Sequence, residues 1–129
     1  MLYDVIVVGS GIAGLCAAIE ASKDGKSVLI LTKNMPLRSN SSMAAGGINA
    51  ALGNVEADDI SLHLADTLKG ADGIGVQKAV AVLAKNAPKT VFELDALGAN
   101  FDKDENGKIR QRSFGGAGKK RTCFVADKT

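Results

Sequence analysis

The stretch Asp4-Val5-Ile6-Val7-Val8-Gly9-Ser10-Gly11-Ile12-Ala13-Gly14 decides the fold class. Its β-branched apolar run reads as a buried strand of a parallel sheet that stops abruptly at a glycine turn. From Ile12 to Ser22 small and apolar residues recur at helical spacing and alanine is abundant, so a helix opens inside the glycine segment. Asp24-Gly25-Lys26 ends that helix, and Ser27 to Leu31 supplies a second apolar strand. Strand, glycine turn, helix and strand within about thirty residues form the setting that a dinucleotide-binding G-x-G-x-x-G fingerprint requires. The expected class is α/β, with a partial Rossmann-like domain at its start.

The binding chemistry expected here comes from the backbone. Gly9 permits the tight turn, Gly11 lets the main chain approach a pyrophosphate, and Gly14 lets the helix pack closely on the strand. The helix amino terminus, with Ser10, Ile12 and Ala13, then presents free N–H groups to the anion. An acidic residue that binds a ribose hydroxyl usually ends the second strand of such a unit. Here Leu31 is followed by Thr32 and Lys33, which argues against a plain NAD site.

At 129 residues, 46% hydrophobic and 23% charged, the chain has the composition of one globular domain. A formal charge of +2 with mixed signs gives no field that points to nucleic acid or an acidic partner. The last thirty residues are locally basic, through Lys103, Lys108, Arg110, Arg112, Lys119, Lys120, Arg121 and Lys128. With aromatic residues at only 4%, a solvated or subunit-facing surface explains this better than a nucleic-acid site. Cys16 and Cys123 fit no metal-ligand spacing and read as reduced thiols in a cytoplasmic setting. No apolar run reaches the ~20 residues that span a bilayer, and no export leader is apparent.

From Leu31 onward the sequence LTK, then MPLRSNSSMAAGGINAALGN from Met35, resembles the succinate dehydrogenase and fumarate reductase flavoprotein family. The resemblance continues through His63-Leu64-Ala65-Asp66-Thr67-Leu68-Lys69-Gly70, Leu97-Gly98-Ala99, Arg112-Ser113-Phe114-Gly115-Gly116 and Arg121 to Thr129, so it covers essentially the whole chain. It implies FAD as cofactor, with Leu31, Thr32 and Lys33 along its adenosine part. It also implies that Ser39, Asn40, Ser41, Ser42, Ala44, Ala45, Gly46 and Gly47 lie around the isoalloxazine ring. A flavin needs close backbone approach and N–H donors near N5 and its carbonyl oxygens, and a loop of small residues offers both. Phe114 would border a dicarboxylate site, packing on the flat carbon skeleton of fumarate; an ordinary core phenylalanine is the alternative.

Two departures from the family pattern bear on mechanism. Where membrane-bound members carry the histidine that links FAD covalently, this chain has Asn40, so noncovalent FAD is expected. Ala45 stands where glutamine or glutamate often precedes the double glycine, which removes a polar contact near the flavin.

Other features suggest less. Asp102 to Ile109 resembles the first half of a calcium loop, but Ser113 stands at the twelfth position in place of the bidentate glutamate. A β-hairpin with a type I′ turn at Asn106-Gly107 is the better reading, and no metal site is expected. His63 sits on an amphipathic helix from Asp58 to Lys69, capped by Asp58 or Asp59; it is a candidate base, but with no orienting acid evident from spacing a structural role at the domain surface is expected. Gln77 to Leu97 continues as helix with a break near Ala87-Pro88.

The acid–base groups and cationic clamps that fumarate chemistry needs, which the family carries elsewhere, do not occur here, so no residue is assigned as catalytic. The chain is expected to be the amino-terminal portion, residues 1–129, of an FAD-binding domain, and to be inactive alone. The resemblance further implies a dicarboxylate substrate, and an iron–sulfur subunit as a possible partner on the inner face of a membrane. An L-aspartate oxidase fragment, or a nonenzymatic dinucleotide-binding module, are the competing readings.

Overall fold

A computed structural model describes residues 2–126. The chain divides into two compact units, residues 1–44 and 45–129. Asp127, Lys128 and Thr129, which belong to the last family-like segment and to the basic stretch, lie outside the described residues.

The first unit is the expected strand, glycine turn, helix and strand. Strand β1 (Val5–Val8) pairs in parallel with β2 (Val28–Leu31), Val5 opposite Val28 and Val8 opposite Leu31. Helix α1 (Ile12–Lys23) connects them, and Gly25, at φ +71°, turns the chain back toward β2. Asp4 closes the base: its Oδ2 accepts from the Ser27 N–H at 2.8 Å and from the Ser27 hydroxyl at 2.7 Å. Burial on both faces of β1 is not realised. Val5 and Val7 are half-buried on the α1 side, while Ile6 and Val8 stand exposed because no second layer covers them among the described residues.

The second unit carries strand β3 (Ile48–Asn49), helices α2 (Ile60–Gly70) and α3 (Gln77–Leu94), and strands β4 (Gln111–Arg112) and β5 (Thr122–Cys123). Its antiparallel sheet has the order β3-β5-β4, with Cys123 opposite both Ile48 and Gln111. Ala50, Ala87, Val91, Phe101, Ile109 and Cys123 form the core. The buried Gln111 amide is satisfied within it, donating to the Ala50 carbonyl at 2.8 Å and accepting from the Asn54 N–H at 3.2 Å. Asp59 caps α2, its carboxylate accepting from the N–H groups of Ser61 and Leu62 at 2.7 and 3.0 Å.

Helix α3 runs through Pro88 without the expected break. The proline forfeits one backbone hydrogen bond, a cost of about 3 kcal/mol. Ala84, Ala87 and Val91, all buried, recur at helical spacing along the packed face, and their burial holds the helix together across that gap. The helix ends instead in a wider turn, Asp95–Ala99, in which Gly98 takes φ +99° and after which Asn100, at φ +48°, is also left-handed.

The hairpin at residues 103–109 is reduced to a single antiparallel bridge, Lys103 to Ile109, and its turn is not type I′. Only Gly107 has positive φ, +77°. The Asp104 carboxylate accepts from the N–H groups of Asn106 and Lys108, both at 2.9 Å, while the Gly107 N–H bonds the Asp104 carbonyl at 3.0 Å. These bonds hold residues 105 and 106 right-handed and leave the left-handed position to glycine, as in a type I turn with a following bulge.

Candidate functional site

In the first unit three separate segments converge on the amino terminus of α1. The Gly9 N–H donates to the Leu31 carbonyl at 2.7 Å, and the Ser10 and Thr32 hydroxyls share a hydrogen bond of 2.9 Å. The Ser41 hydroxyl accepts from the Ile12 N–H at 3.0 Å. Gly9–Gly14, Leu31–Thr32 and the serine loop are thus brought together around the start of α1.

Two glycines of the turn, Gly9 and Gly14, meet a backbone constraint. Gly9 takes φ +111°, which a side chain rarely adopts. A Cβ on Gly14 would collide with the Gly9 carbonyl oxygen, so the third glycine is what lets α1 start against β1. Gly11 is the helix cap and offers no side chain, and the N–H groups of Ala13 and Gly14 meet no acceptor among the described residues. The Ile12 N–H, expected to be free, is taken by the Ser41 hydroxyl; the two unpaired donors of Ala13 and Gly14, at the positive end of the helix dipole, remain as the donor set of an anion site. This set fits the diphosphate of a dinucleotide.

Ser39 to Ala44 form a run of tight turns. The Ser42 N–H bonds both the Ser39 carbonyl, at 3.1 Å, and its hydroxyl, at 3.2 Å, and the two hydroxyls lie 3.0 Å apart. Asn40, Ser42, Ala44 and Lys33 are exposed, so none is committed to a core.

Ala45, Gly46 and Gly47 belong to the second unit. Gly46 and Gly47 have φ of +118° and +124°. A Cβ on Gly46 would stand 2.7 Å from Cζ of Phe114, and one on Gly47 would meet the Cys123 carbonyl. Phe114 is 52% exposed. Its ring lies across the Gly46 backbone, and the Arg112 guanidinium sits 5.8 Å from the ring centroid.

Arg121 corrects the reading of the basic stretch as surface. Its side chain is fully buried, with Nη2 3.0 Å from Asp58 Oδ1 and 3.1 Å from Asp66 Oδ2. Lys119 and Lys120 do lie outward, around the carboxylate of Glu56. His63 is likewise buried, at 3% exposure, rather than at the surface. Burial and then the Arg121 charge push its pKa below the ordinary imidazole value. A cavity of about 540 Å³ opens beside Asn49, His63, Asp66, Lys69 and Arg121. Sequence reasoning missed this cluster because Asp58, Asp66 and Arg121 are distant in the chain; the helix cap at Asp59, which leaves Asp58 free to turn inward, was the available signal.

Cys123 is a free thiol that burial pushes up to about 11, which makes it an inert core residue, and Cys16 is free and exposed. No cluster of metal-ligating side chains, and no helix long and apolar enough to cross a membrane, occurs among the described residues.

Comparison with known proteins places the chain in a family. The family model for the FAD binding domain matches residues 4–129. The succinate dehydrogenase flavoprotein subunit of Rickettsia bellii is 47% identical over 98% of this chain and 23% of its own length. The 8-methylmenaquinol:fumarate reductase flavoprotein subunit of Wolinella succinogenes is 44% identical over 98% of this chain and 21% of its own. Among solved structures, Mycobacterium smegmatis Sdh1 in complex with UQ1 superposes with a TM-score of 0.92 at 41% identity, covering 98% of this chain and 21% of that one. The chain therefore spans about a fifth of the length of the relatives it matches.

Proposed function

As this chain belongs to the FAD binding domain family, we propose that it is the amino-terminal, FAD-holding segment of a flavoprotein that interconverts fumarate and succinate. The observation that carries this reading is the meeting of the glycine turn, Thr32 and the Ser41 hydroxyl at the start of α1. It sits in a chain 44–47% identical to subunits of succinate dehydrogenase and fumarate reductase.

FAD is the cofactor, and its bound form supplies the two-electron chemistry. Residues 9–14 would receive the diphosphate on backbone N–H groups, in a partial Rossmann-like unit of β1, α1 and β2. Leu31, Thr32 and Lys33 would follow the adenosine part. Ser39, Asn40, Ser41, Ser42 and Ala44, with Ala45, Gly46 and Gly47, would lie along the ring, holding it noncovalently because Asn40 has no imidazole to offer. Phe114, half-exposed and pressed on Gly46, would pack against the carbon skeleton of a dicarboxylate.

The groups that clamp the two carboxylates and move the proton would come from outside these residues. On this reading the protein works in the cytoplasm or peripherally at a membrane through an iron–sulfur partner, and the 129-residue chain alone does not turn over fumarate. Asn40 favours L-aspartate oxidation as the second reading. Anaerobic addition of succinate or L-aspartate to the complete flavoprotein decides between them: bleaching of the flavin by succinate alone is expected, and bleaching by L-aspartate alone contradicts the proposal.

A further inference from the structure

Arg112 lies on β4 one residue before the Ser113-Phe114 corner, and its planar guanidinium ties three segments together. Nη2 donates to the Gly46 carbonyl oxygen at 3.0 Å. One face lies 4.5 Å from the centroid of the buried Phe124 ring, and the group is 5.8 Å from that of Phe114. Phe114 in turn covers Gly46, its Cζ standing 2.7 Å from where a Cβ would be, so a side chain there would push the ring aside. The charge-assisted bond fixes the rotation of the peptide between Gly46 and Gly47, both of which have backbone angles that glycine alone adopts easily.

In a trans peptide the N–H points opposite to the C=O. With its carbonyl held toward Arg112, this peptide turns the Gly47 N–H away from the guanidinium. Polarisation of the carbonyl by a cation also makes that N–H a better donor.

We propose that Arg112 is a positioning residue: without touching cofactor or substrate, it sets the Gly47 N–H as a flavin-facing donor and the Phe114 ring as the wall of the dicarboxylate site. The inference rests on the FAD reading above. Lysine can replace the charge but not the planar stack on Phe124 or the fixed direction of the fork. Glutamine removes the charge altogether.

The test uses Arg112→Lys and Arg112→Gln with two readouts. In the apo chain, amide hydrogen exchange and the resonance of Gly47 report whether the peptide is fixed. In the complete flavoprotein, FAD affinity and the KM for fumarate report its consequence. Arg112→Gln is expected to speed Gly47 exchange and weaken FAD roughly tenfold, the equivalent of one charge-assisted hydrogen bond. It should raise KM more than it lowers kcat, with Arg112→Lys in between. Wild-type Gly47 exchange, FAD affinity and KM in folded Arg112→Gln would overturn the inference while leaving the FAD reading intact. A wild-type protein that takes up no flavin would overturn the FAD reading, and unchanged Gly47 exchange in the glutamine variant would still sink the role of Arg112.

Discussion

The Gly9 carbonyl oxygen occupies the place where a Cβ on Gly14 would have to stand. The obstacle is backbone and cannot swing aside as a flexible side chain would. Gly14→Ala is therefore expected to lower stability by about 1–3 kcal/mol, the usual range for overpacking. It also shifts the start of α1, so FAD affinity should fall with it. Urea denaturation of the variant checks the first effect and flavin titration the second; an alanine variant with wild-type values for both would show that α1 does not need this close approach.

Arg121 and Asp58 form a water-excluded ion pair, with side-chain exposures of 0% and 2%. Removing one partner of such a pair strands the other charge, at a cost of about 3–5 kcal/mol. Arg121→Met should lose stability on that scale, and adding Asp58→Asn should recover part of it because the stranded carboxylate is then neutral. A double-mutant cycle measured by urea denaturation provides the check. Strict additivity of the two changes would mean that the pair is not coupled.

His63 is buried neutral with its pKa depressed below the ordinary value of 6.5. Above that pH both folded and unfolded chains carry a neutral imidazole, and the residue makes stability independent of pH. As pH falls through 6.5 the unfolded state takes up a proton that the folded state refuses, so stability declines. Wild type should lose stability between pH 8 and pH 5.5 in a way that His63→Gln does not; parallel curves for the two proteins would refute this assignment.

Asn40 is exposed in the serine loop, and on the proposed reading it stands where a covalent link would need an imidazole. Acid precipitation of the complete flavoprotein should therefore release all of its flavin into the supernatant. Yellow colour retained on the precipitated chain would contradict the noncovalent assignment.

The first unit was legible because its determinants are local. Apolar strands, a glycine turn and an alanine-rich helix within residues 4–31 leave one arrangement, and β1, α1 and β2 fall within a residue or two of expectation. The three-stranded sheet was not legible. Strands β3, β4 and β5 are two residues each and far apart in sequence, so their pairing depends on the core around Ala50 and Cys123 rather than on any pattern of their own. Pro88 misled because a local rule was outweighed by burial of Ala84, Ala87 and Val91. Arg112 and Arg121 were counted as surface charge because sequence shows a cation but not the rings or carboxylates that receive it.

The central claim is that the start of α1 receives the diphosphate of FAD. It is tested most directly by following the amide resonances of Gly11, Ile12, Ala13 and Gly14 in the nitrogen-labelled chain during titration with FAD and, separately, with riboflavin, up to about 1 mM, the Kd equivalent of about −4 kcal/mol. These four amides are expected to shift with FAD and stay still with riboflavin, which lacks the diphosphate. No movement with FAD, or equal movement with both ligands, would contradict the account.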